Sequence, residues 1–292
     1  EKNKDNDVAK KNINYSNKES LDKKKIKNYQ DLSSYIKKEL SKIKNKKTKY
    51  LFIDEVQKID EWEKAINSFF ADEIFDIYIT GSNAQMLSSE LATLLAGRYI
   101  EFPIYSLSFQ EFLEFRGTEK SSDEDEFQLY LRYGGLPALH NFELDDEIIY
   151  MHIRSILNTI VLKDIVAKNE IRNPRLLEDL INFAANNIGS QFSAKSISDF
   201  LKSQRLSVGV NTIQNYLSYI ESAYIIDKVR RYDIKGKRYF EIKEKYFLND
   251  IGLRNAILGY REGDLGHILE NIIYLELKRR GYHLYPSGLP LR

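Results

Sequence analysis

The 292-residue sequence contains no cysteine. This absence excludes disulfides, thiolate zinc sites, cysteine nucleophiles and iron–sulfur clusters. There are only four histidines, and none has the HExxH spacing of a zinc protease. No apolar run approaches the roughly 18 residues of a membrane span, and the Lys-rich start lacks the apolar core of a signal peptide. The sequence therefore predicts a cytoplasmic protein with no membrane partner.

Net charge is also small, at +1, although it is unevenly distributed. Residues 1–49 hold 16 Lys against 7 acidic residues, so the rest of the chain is acidic overall. A near-neutral balance does not make nucleic acid the default partner. Within the basic region, the Lys/Asn-rich stretch to Asp22 is predicted to be poorly ordered, and apolar spacing predicts a helix at about 31–44.

Two short apolar runs predict neighbouring strands of a parallel sheet. Tyr50–Ile53 stops at an Asp-Glu pair, and Ile74–Thr80 runs into Gly-Ser-Asn. A helix-like segment at 61–70 lies between them, which makes a βαβ unit. Ligands bind beyond the carboxyl ends of such strands. The polar residues expected at that edge are Asp54, Glu55, Thr80, Ser82 and Asn83.

The next segments predict further elements around this unit. A helix is expected at 84–96, a third strand at Tyr99–Ile104 and a helix from Ser108. The acidic run Glu119–Glu126 indicates a solvated loop, and residues 127–188 are mainly helical in pattern.

Residues 176–248 read as a separate unit. Three amphipathic segments, the second with Ser193 as its N-cap, precede two alternating runs at Ile225–Tyr232 and Lys237–Tyr246. Three helices followed by a hairpin predict a winged helix-turn-helix. A further amphipathic helix is expected at about 265–280.

The YLFIDE pattern carries the chemistry. Four apolar residues before Asp-Glu are typical of the Walker B element of NTPases, in which the Asp holds magnesium and the Glu orients the attacking water. A strand end with two solvated acids is the alternative. Thr80, Ser82 and Asn83 are candidates for a γ-phosphate sensor. Arg98 is a candidate for stabilising transition-state charge, or else a surface arginine with an acidic partner.

Longer motifs resemble one family. They are YLFIDEVQKIDEWEKAI, IYITGSNAQMLSSELATLLAGRYIEFPIYSLSFQEFL, YGGLP, NNIGSQFS, TIQNYLSYIESAYII, YFLNDIGLRNAILG and GHILENIIYLELKRRGYHLY. From about residue 30 to 285 the chain resembles the AAA-type ATPases of archaea and bacteria whose C-terminal half is a domain of unknown function. The resemblance implies ATP and Mg²⁺ as cofactors. It also implies that Asp54 is the magnesium carboxylate, Glu55 the catalytic base, Asn83 or Ser82 the sensor, and Arg98 a phosphate-contacting arginine.

One departure from that family concerns the phosphate loop. No GxxxxGK[ST] occurs, and the first glycine, Gly81, comes after the acidic pair. Without the loop there is no cradle for the β- and γ-phosphates, so we expect this polypeptide not to hydrolyse ATP efficiently. A loop ahead of residue 1 and a naturally degenerate relative are both compatible with this.

The C-terminal part raises two further questions. The helix near Glu270 and the segment after it resemble the start of a restriction-endonuclease-like fold. Since the acidic and lysine residues of such a centre would come later, no nuclease centre is expected, and Glu270 and Glu276 are expected to be solvated.

A DNA role of the winged helix would use its third helix for bases and its wing for phosphates. The candidates are Asn211, Thr212, Gln214, Asn215 and Ser218 for bases, and Lys228, Arg230, Arg231, Lys235, Lys237 and Arg238 for phosphates. The alternative is that this module only packs on the rest of the protein or on a partner.

These readings combine into one architecture and three hypotheses. The fold class is α/β, with an incomplete parallel NTPase-like sheet, a helical region, a winged helix-turn-helix and the start of a nuclease-like domain. The predicted boundaries are 1–108, 109–175, 176–248 and 249–292. The leading hypothesis is an ATPase that couples nucleotide state to its C-terminal domains. The alternatives are a non-enzymatic DNA-binding module and a homo-oligomeric scaffold in which Arg98 contacts a neighbouring subunit.

Overall fold

The structure is a computed structural model that describes residues 13–17, 26–43, 48–82, 98–117, 121–143, 145–230 and 244–282. Its chain divides into two compact units, Glu1–Glu101 and Phe102–Arg292. Each has its own hydrophobic core. The site predicted from the sequence belongs to the first unit, and the helix-and-hairpin region belongs to the second.

The first unit contains a parallel three-stranded sheet. Its strands are β1 (Ile13–Asn17), β2 (Lys49–Asp54) and β3 (Phe75–Ile79), in the order β1-β2-β3. Two helices, α1 (Tyr29–Leu40) and α2 (Trp62–Ala71), connect them. The apolar sides of these helices share one buried cluster with β2, which includes Leu32, Ile36, Leu51, Ile53, Trp62, Ile66 and Phe69.

The predicted βαβ unit is confirmed by the pairing of β2 with β3. The two strands are parallel and directly adjacent, with Ile53 opposite Ile79. Parallel neighbours end at the same edge of a sheet, so the residues after Ile53 and Ile79 meet there. This adjacency determines the geometry of the candidate site.

The prediction of disorder at the start of the chain is wrong in part. The stretch before Asp22 was expected to be poorly ordered, yet Ile13–Asn17 forms β1 and pairs with β2 from Tyr50 to Asp54. A buried parallel strand needs hydrogen-bonding partners on both sides, and this tertiary demand overrides the polar local composition.

The predicted strand Tyr99–Ile104 is absent, since these residues have no regular structure. Ile100, Phe102 and Ile104 are 80%, 73% and 91% exposed. Their alternating pattern suits a strand, but in the part of the chain that the structure describes no strand lies alongside to accept the backbone hydrogen bonds. Pattern alone does not make a strand without that partner.

The second unit is mainly helical. Its helices are α3 (Phe109–Arg116), α4 (Asp123–Tyr133), α5 (Asp146–Ile160), α6 (Pro174–Asn186), α7 (Ala194–Ser203), α8 (Val210–Ser222), α9 (Ile251–Leu258) and α10 (Leu265–Arg279). Ser108 and Ser193 form capping boxes at the starts of α3 and α7, so these two helix starts are confirmed.

In the described part of the acidic run, residues 121–126, a helix begins where the composition predicts a loop. Ser122 caps α4, and four acidic residues occupy the first turn, where the helix dipole favours them. The last of them, Glu126, is fully buried and accepts hydrogen bonds from Arg116 and Ser121. The composition therefore marked a helix start.

The second unit also contains a three-stranded antiparallel sheet, whose strands lie in the sequence between and after α6, α7 and α8. Its strands are β4 (Gln191–Phe192), β5 (Ile226–Arg230) and β6 (Glu244–Leu248), in the order β4-β6-β5. The predicted pairing of the last two strands is confirmed, with Ile226 opposite Leu248. The connecting residues 231–243, like the helix predicted at 84–96, lie outside the described residues.

Glycine motifs join distant parts of the second unit. The buried carboxylate of Asp250 accepts hydrogen bonds from the backbone N–H of Gly135 and of Gly252, both at 2.8 Å. A Cβ added at Gly135 would lie 2.3 Å from the carbonyl oxygen of Leu107, and one at Gly252 would lie 2.1 Å from that of Tyr133. The YGGLP and NDIG motifs thus permit a close backbone approach around one buried carboxylate.

Candidate functional site

The two acids of the YLFIDE motif lie at the carboxyl edge of the parallel sheet beside Thr80. Thr80 donates a hydrogen bond from its hydroxyl to Asp54 Oδ1, and the same hydroxyl accepts one from the backbone N–H of Glu55 at 3.2 Å. Backbone hydrogen bonds also join the two strand ends. The N–H of Thr80 donates to the carbonyl oxygen of Ile53, and the N–H of Val56 donates to the carbonyl oxygen of Thr80. The structure therefore brings Asp54, Glu55 and Thr80 together, as predicted.

Glu55 has a left-handed backbone conformation, with φ of 55°. A non-glycine residue is uncommon there, and the conformation is sterically costly. It places Glu55 directly before a short 3₁₀ turn, Val56–Lys58. Lys58 forms an ion pair with the Glu55 carboxylate at 3.1 Å. The sharp turn keeps this acid at the strand end.

Gln57 was missed by the sequence analysis. Its Nε2 donates to Glu55 Oε2 at 2.9 Å and lies 3.3 Å from Ser82 Oγ. Gln57 therefore connects the predicted base with the predicted sensor turn. In the sequence, the only indication of this role is that a glutamine follows the acidic pair by two residues. The 3₁₀ turn is what brings the Gln57 side chain back to Glu55.

The remaining predicted residues of this site have different outcomes. Ser82 lies at the site through Gln57, and Asn83 lies outside the described residues. Arg98 stacks on the ring of Phe70, with 5.0 Å between the guanidinium carbon and the ring centroid. Phe70 is in the last turn of α2, which precedes the amino end of β3. The structure therefore does not bring Arg98 to Asp54, and a role toward another subunit stays a prediction.

The donor set at the strand ends fits a magnesium nucleotide. Magnesium takes oxygen ligands and usually keeps several waters, binding through one or two carboxylates and substrate phosphates. Asp54 and the neighbouring Thr80 hydroxyl supply such oxygens. Among the described residues no cluster of three His, Asp or Glu forms a complete protein cage. Asp54 would hold the ion, with nucleotide oxygens and water completing its shell.

The predicted DNA face is partly described. Asn211, Thr212, Gln214 and Asn215 are all exposed on α8. Lys228, predicted to contact phosphate, instead lies 3.6 Å from Glu221 and 3.9 Å from Glu244, and is only partly exposed. β5 places Lys228 between these two acids, and its contact with DNA phosphate stays a prediction. The wing candidates Arg231, Lys235, Lys237 and Arg238 lie outside the described residues, and the side chain of Arg230 is not described.

The acidic residues of α10 form ion pairs. Glu270 contacts Lys245 of β6 at 2.7 Å, and Glu276 contacts Arg279 and Arg280, each at 2.7 Å. Both are partly exposed, so the expectation of solvated positions holds only in part. A Cβ added at Gly189 would lie 2.4 Å from Glu270 Oε2, so the NNIGS motif makes room for the Glu270 side chain.

Two family models match the chain. Residues 2–113 match a model described as an AAA domain, and residues 124–264 match one described as a domain of unknown function (DUF8612). The first match covers the sheet and the strand ends described above. The first unit is thus similar to AAA domains.

Two relatives match most of the chain. An uncharacterized protein of Haemophilus influenzae is 37% identical over 277 residues, which is 94% of this chain and 68% of that protein. The chain belongs to the family of this protein. An uncharacterized protein of Methanocaldococcus jannaschii, MJ1544, is 34% identical over 81% of this chain and 54% of its own length. The chain thus spans about half of the archaeal relative.

Similarity to solved structures is weaker. The Walker-type ATPase of Pyrococcus abyssi aligns over 82% of this chain and 68% of its own, with a TM-score of 0.47 and 13% identity. In the described part of the chain, none of the helices combines the length and apolar character required to cross a bilayer.

Proposed function

We propose that this protein is part of a magnesium-dependent ATPase that couples nucleotide state to its C-terminal region. The observation that carries the proposal is the contact of Thr80 with both acids at the carboxyl edge of β2 and β3. Ligands of open parallel sheets bind at this edge. The AAA-domain match over residues 2–113 supports the nucleotide as that ligand.

Each residue has a distinct role in this proposal. Asp54 holds Mg²⁺, which supplies charge stabilisation to the transferring phosphoryl group. Glu55 orients the attacking water and accepts its proton. Thr80 positions both acids rather than contacting nucleotide, because its hydroxyl is already engaged by them. Ser82 or Asn83 senses the γ-phosphate, and Gln57 connects Ser82 to Glu55.

The phosphate loop is the missing component of this chemistry. No GxxxxGK[ST] occurs in the 292 residues, so we expect this polypeptide alone to hydrolyse ATP poorly. Within the described residues β3 has a strand partner on one side only. We infer that a strand carrying the loop would add to β3, which places phosphate-binding N–H groups near Asp54 and Ser82.

The test uses a loop-bearing protein, defined as this chain with a strand and a GxxxxGK[ST] loop placed ahead of residue 1. We expect magnesium-dependent ATP hydrolysis that Glu55→Gln lowers at least about 100-fold while nucleotide binding is retained, because the base is lost and the magnesium carboxylate is not. ATP turnover and fluorescent-nucleotide binding are measured on the same preparations.

Glu61→Gln is the matched control. Glu61 also has a left-handed backbone, with φ of 53°, and also forms an ion pair with a lysine three residues later, Lys64. It lies at the start of α2 rather than at the strand ends. Turnover in Glu61→Gln should match the unsubstituted protein. Equal turnover in Glu55→Gln and Glu61→Gln would contradict the assigned base.

A second function has a separate structural basis. We infer that the elements α6, β4, α7, α8, β5 and β6 form a winged helix-turn-helix in which α8 is the recognition helix. Its exposed polar face could read bases, whereas Lys235, Lys237 and Arg238 would contact phosphates. Such a module could also mediate only protein assembly.

DNA binding is tested by titrating labelled duplex at about 50 and 200 mM salt. Reversing the charge of Lys235, Lys237 and Arg238 should weaken binding at least tenfold and flatten its salt dependence. Charge reversal of Lys37 and Lys38, exposed on α1, is the control and should have little effect. No binding at the lower salt concentration would exclude the DNA function and leave assembly.

A further inference from the structure

Helix α5 exposes one apolar face in the second unit. Ile149, Ile153 and Leu157 of this helix are buried in the core. On the opposite face Met151 is 63% exposed and Ile148 is 41% exposed, with exposed Ser155 one turn after Met151. Residues three and four apart are neighbours on a helix, so these three side chains form a continuous stripe.

Opposite charges lie along one edge of this stripe. Glu147 and Arg154 are both exposed and seven residues apart, which places them two turns and about 10.5 Å from each other. Arg154 Nη1 donates to the carbonyl oxygen of Ala256 at 3.0 Å, which fixes the guanidinium at this edge. Within the described ranges neither side chain has an ion-pair partner.

We propose that this face of α5 binds the same face of a second copy of the chain, with the two helices antiparallel and crossing at Met151. A two-fold axis between antiparallel helices reverses the direction along the helix and keeps each edge on its own side. A side chain before the crossing point in one copy therefore lies opposite a side chain the same distance after that point in the other copy. Glu147 of each copy then meets Arg154 of the other, twice. Met151 meets its own equivalent, and Ile148 packs against the small Ser155.

The charges select this arrangement over its alternatives. A crossing centred on Ser155 would bring the two Arg154 side chains together, which is unfavourable. A parallel pair would leave Glu147 and Arg154 on opposite outer edges without partners. The area of the stripe is small compared with the roughly 1,200 Å² or more that stable complexes bury. We therefore expect a weak dimer, which dissociates to monomers as the protein is diluted.

A charge exchange tests the pairing. In analytical ultracentrifugation of the full chain, Glu147→Arg or Arg154→Glu alone should weaken self-association at least tenfold, because like charges then meet. A mixture of the two single variants should associate at least as well as the unsubstituted chain, since every contact between unlike copies is complementary. A monomer at all concentrations, or a mixture no better than each variant alone, overturns the proposal.

Crosslinking tests the position of the two-fold axis independently. Because the chain has no cysteine, Met151→Cys introduces a single thiol. Under mild oxidation it should form a covalent dimer at least tenfold faster than Ser203→Cys, at an exposed position of α7. Equal rates for the two variants would mean random collision and would overturn the antiparallel contact. Neither test depends on nucleotide, so failure here and failure of the proposed ATPase are distinguishable.

Discussion

The hydroxyl of Thr80 donates a hydrogen bond to the carboxylate of Asp54. It also accepts a hydrogen bond from the N–H of Glu55. A single side chain directly after β3 therefore contacts two acids at the end of β2. This cross-strand contact is what converts two adjacent strand ends into a candidate site.

The Thr80 contact predicts a difference between two conservative substitutions. In the loop-bearing protein, Thr80→Val removes the hydroxyl and should lower ATP turnover about tenfold or more, because Asp54 and Glu55 lose their shared partner. Thr80→Ser keeps the hydroxyl and should retain most turnover. Steady-state hydrolysis of the two variants provides the comparison, and equal losses in both would show that the methyl group matters instead.

Gly135 predicts a steric effect on stability. A Cβ there would lie 2.3 Å from the Leu107 carbonyl oxygen, which is backbone and cannot move aside cheaply. Gly135→Ala should lower the free energy of unfolding by about 2–3 kcal/mol. Gly263→Ala is the control, since nothing lies within 4 Å of a Cβ at Gly263. Urea unfolding measures both, and similar midpoints would contradict the close approach.

Asp250 predicts a pH dependence. Burial raises the pKa of this carboxyl to about 6, although hydrogen bonds from Gly135 and Gly252 oppose the shift. Because the folded pKa lies above the unfolded value, the folded state holds the proton more tightly. The resulting stabilisation is present at low pH and is lost as pH rises through about 6.

Comparison with Asp250→Asn isolates this effect. The variant does not titrate, and its amide can accept only one of the two backbone N–H bonds well, so it should be less stable at every pH. Its deficit relative to the unsubstituted protein should be about 1 kcal/mol larger at pH 5 than at pH 7. Thermal unfolding of both proteins at pH 5 and pH 7 measures this deficit. A deficit that is larger at pH 7 than at pH 5 would contradict a raised pKa of Asp250.

Glu126 predicts a large loss from a single truncation. It is fully buried, and Arg116 Nε donates to it at 3.0 Å. Glu126→Ala should destabilise the protein by about 3 kcal/mol, because the arginine loses its partner in a partly buried position. Glu124→Ala, at an exposed position of the same helix turn, should cost far less. Chemical unfolding of the pair is the measurement.

Local sequence rules predicted much of the fold and the strand-end cluster. β2 and β3 are dense in apolar strand formers, and Ser108 and Ser193 carry recognisable capping patterns. The meeting of Asp54 with Thr80 then followed from the geometry of parallel strands. In each case the information lies in a few consecutive residues, or in a rule that neighbouring strands obey.

The predictions that failed depended on contacts distant in sequence. β1 is polar in composition and forms because β2 lies beside it, whereas residues 99–104 have a strand pattern but no neighbouring strand among the described residues. Glu126 belongs by composition to a solvated acidic run, but its hydrogen bond with Arg116 accompanies its burial. The link from Gln57 to Glu55 required a left-handed turn, and the stacking of Arg98 on Phe70 required the position of α2.

The most direct test of the magnesium site uses Mn²⁺ as a probe in the loop-bearing protein. Electron paramagnetic resonance with ATP present should show a bound Mn²⁺ signal that Asp54→Asn weakens at least tenfold and that Asp60→Asn, also close to the end of β2 in sequence, leaves unchanged. A bound signal of equal strength in Asp54→Asn would place the metal elsewhere and contradict the account.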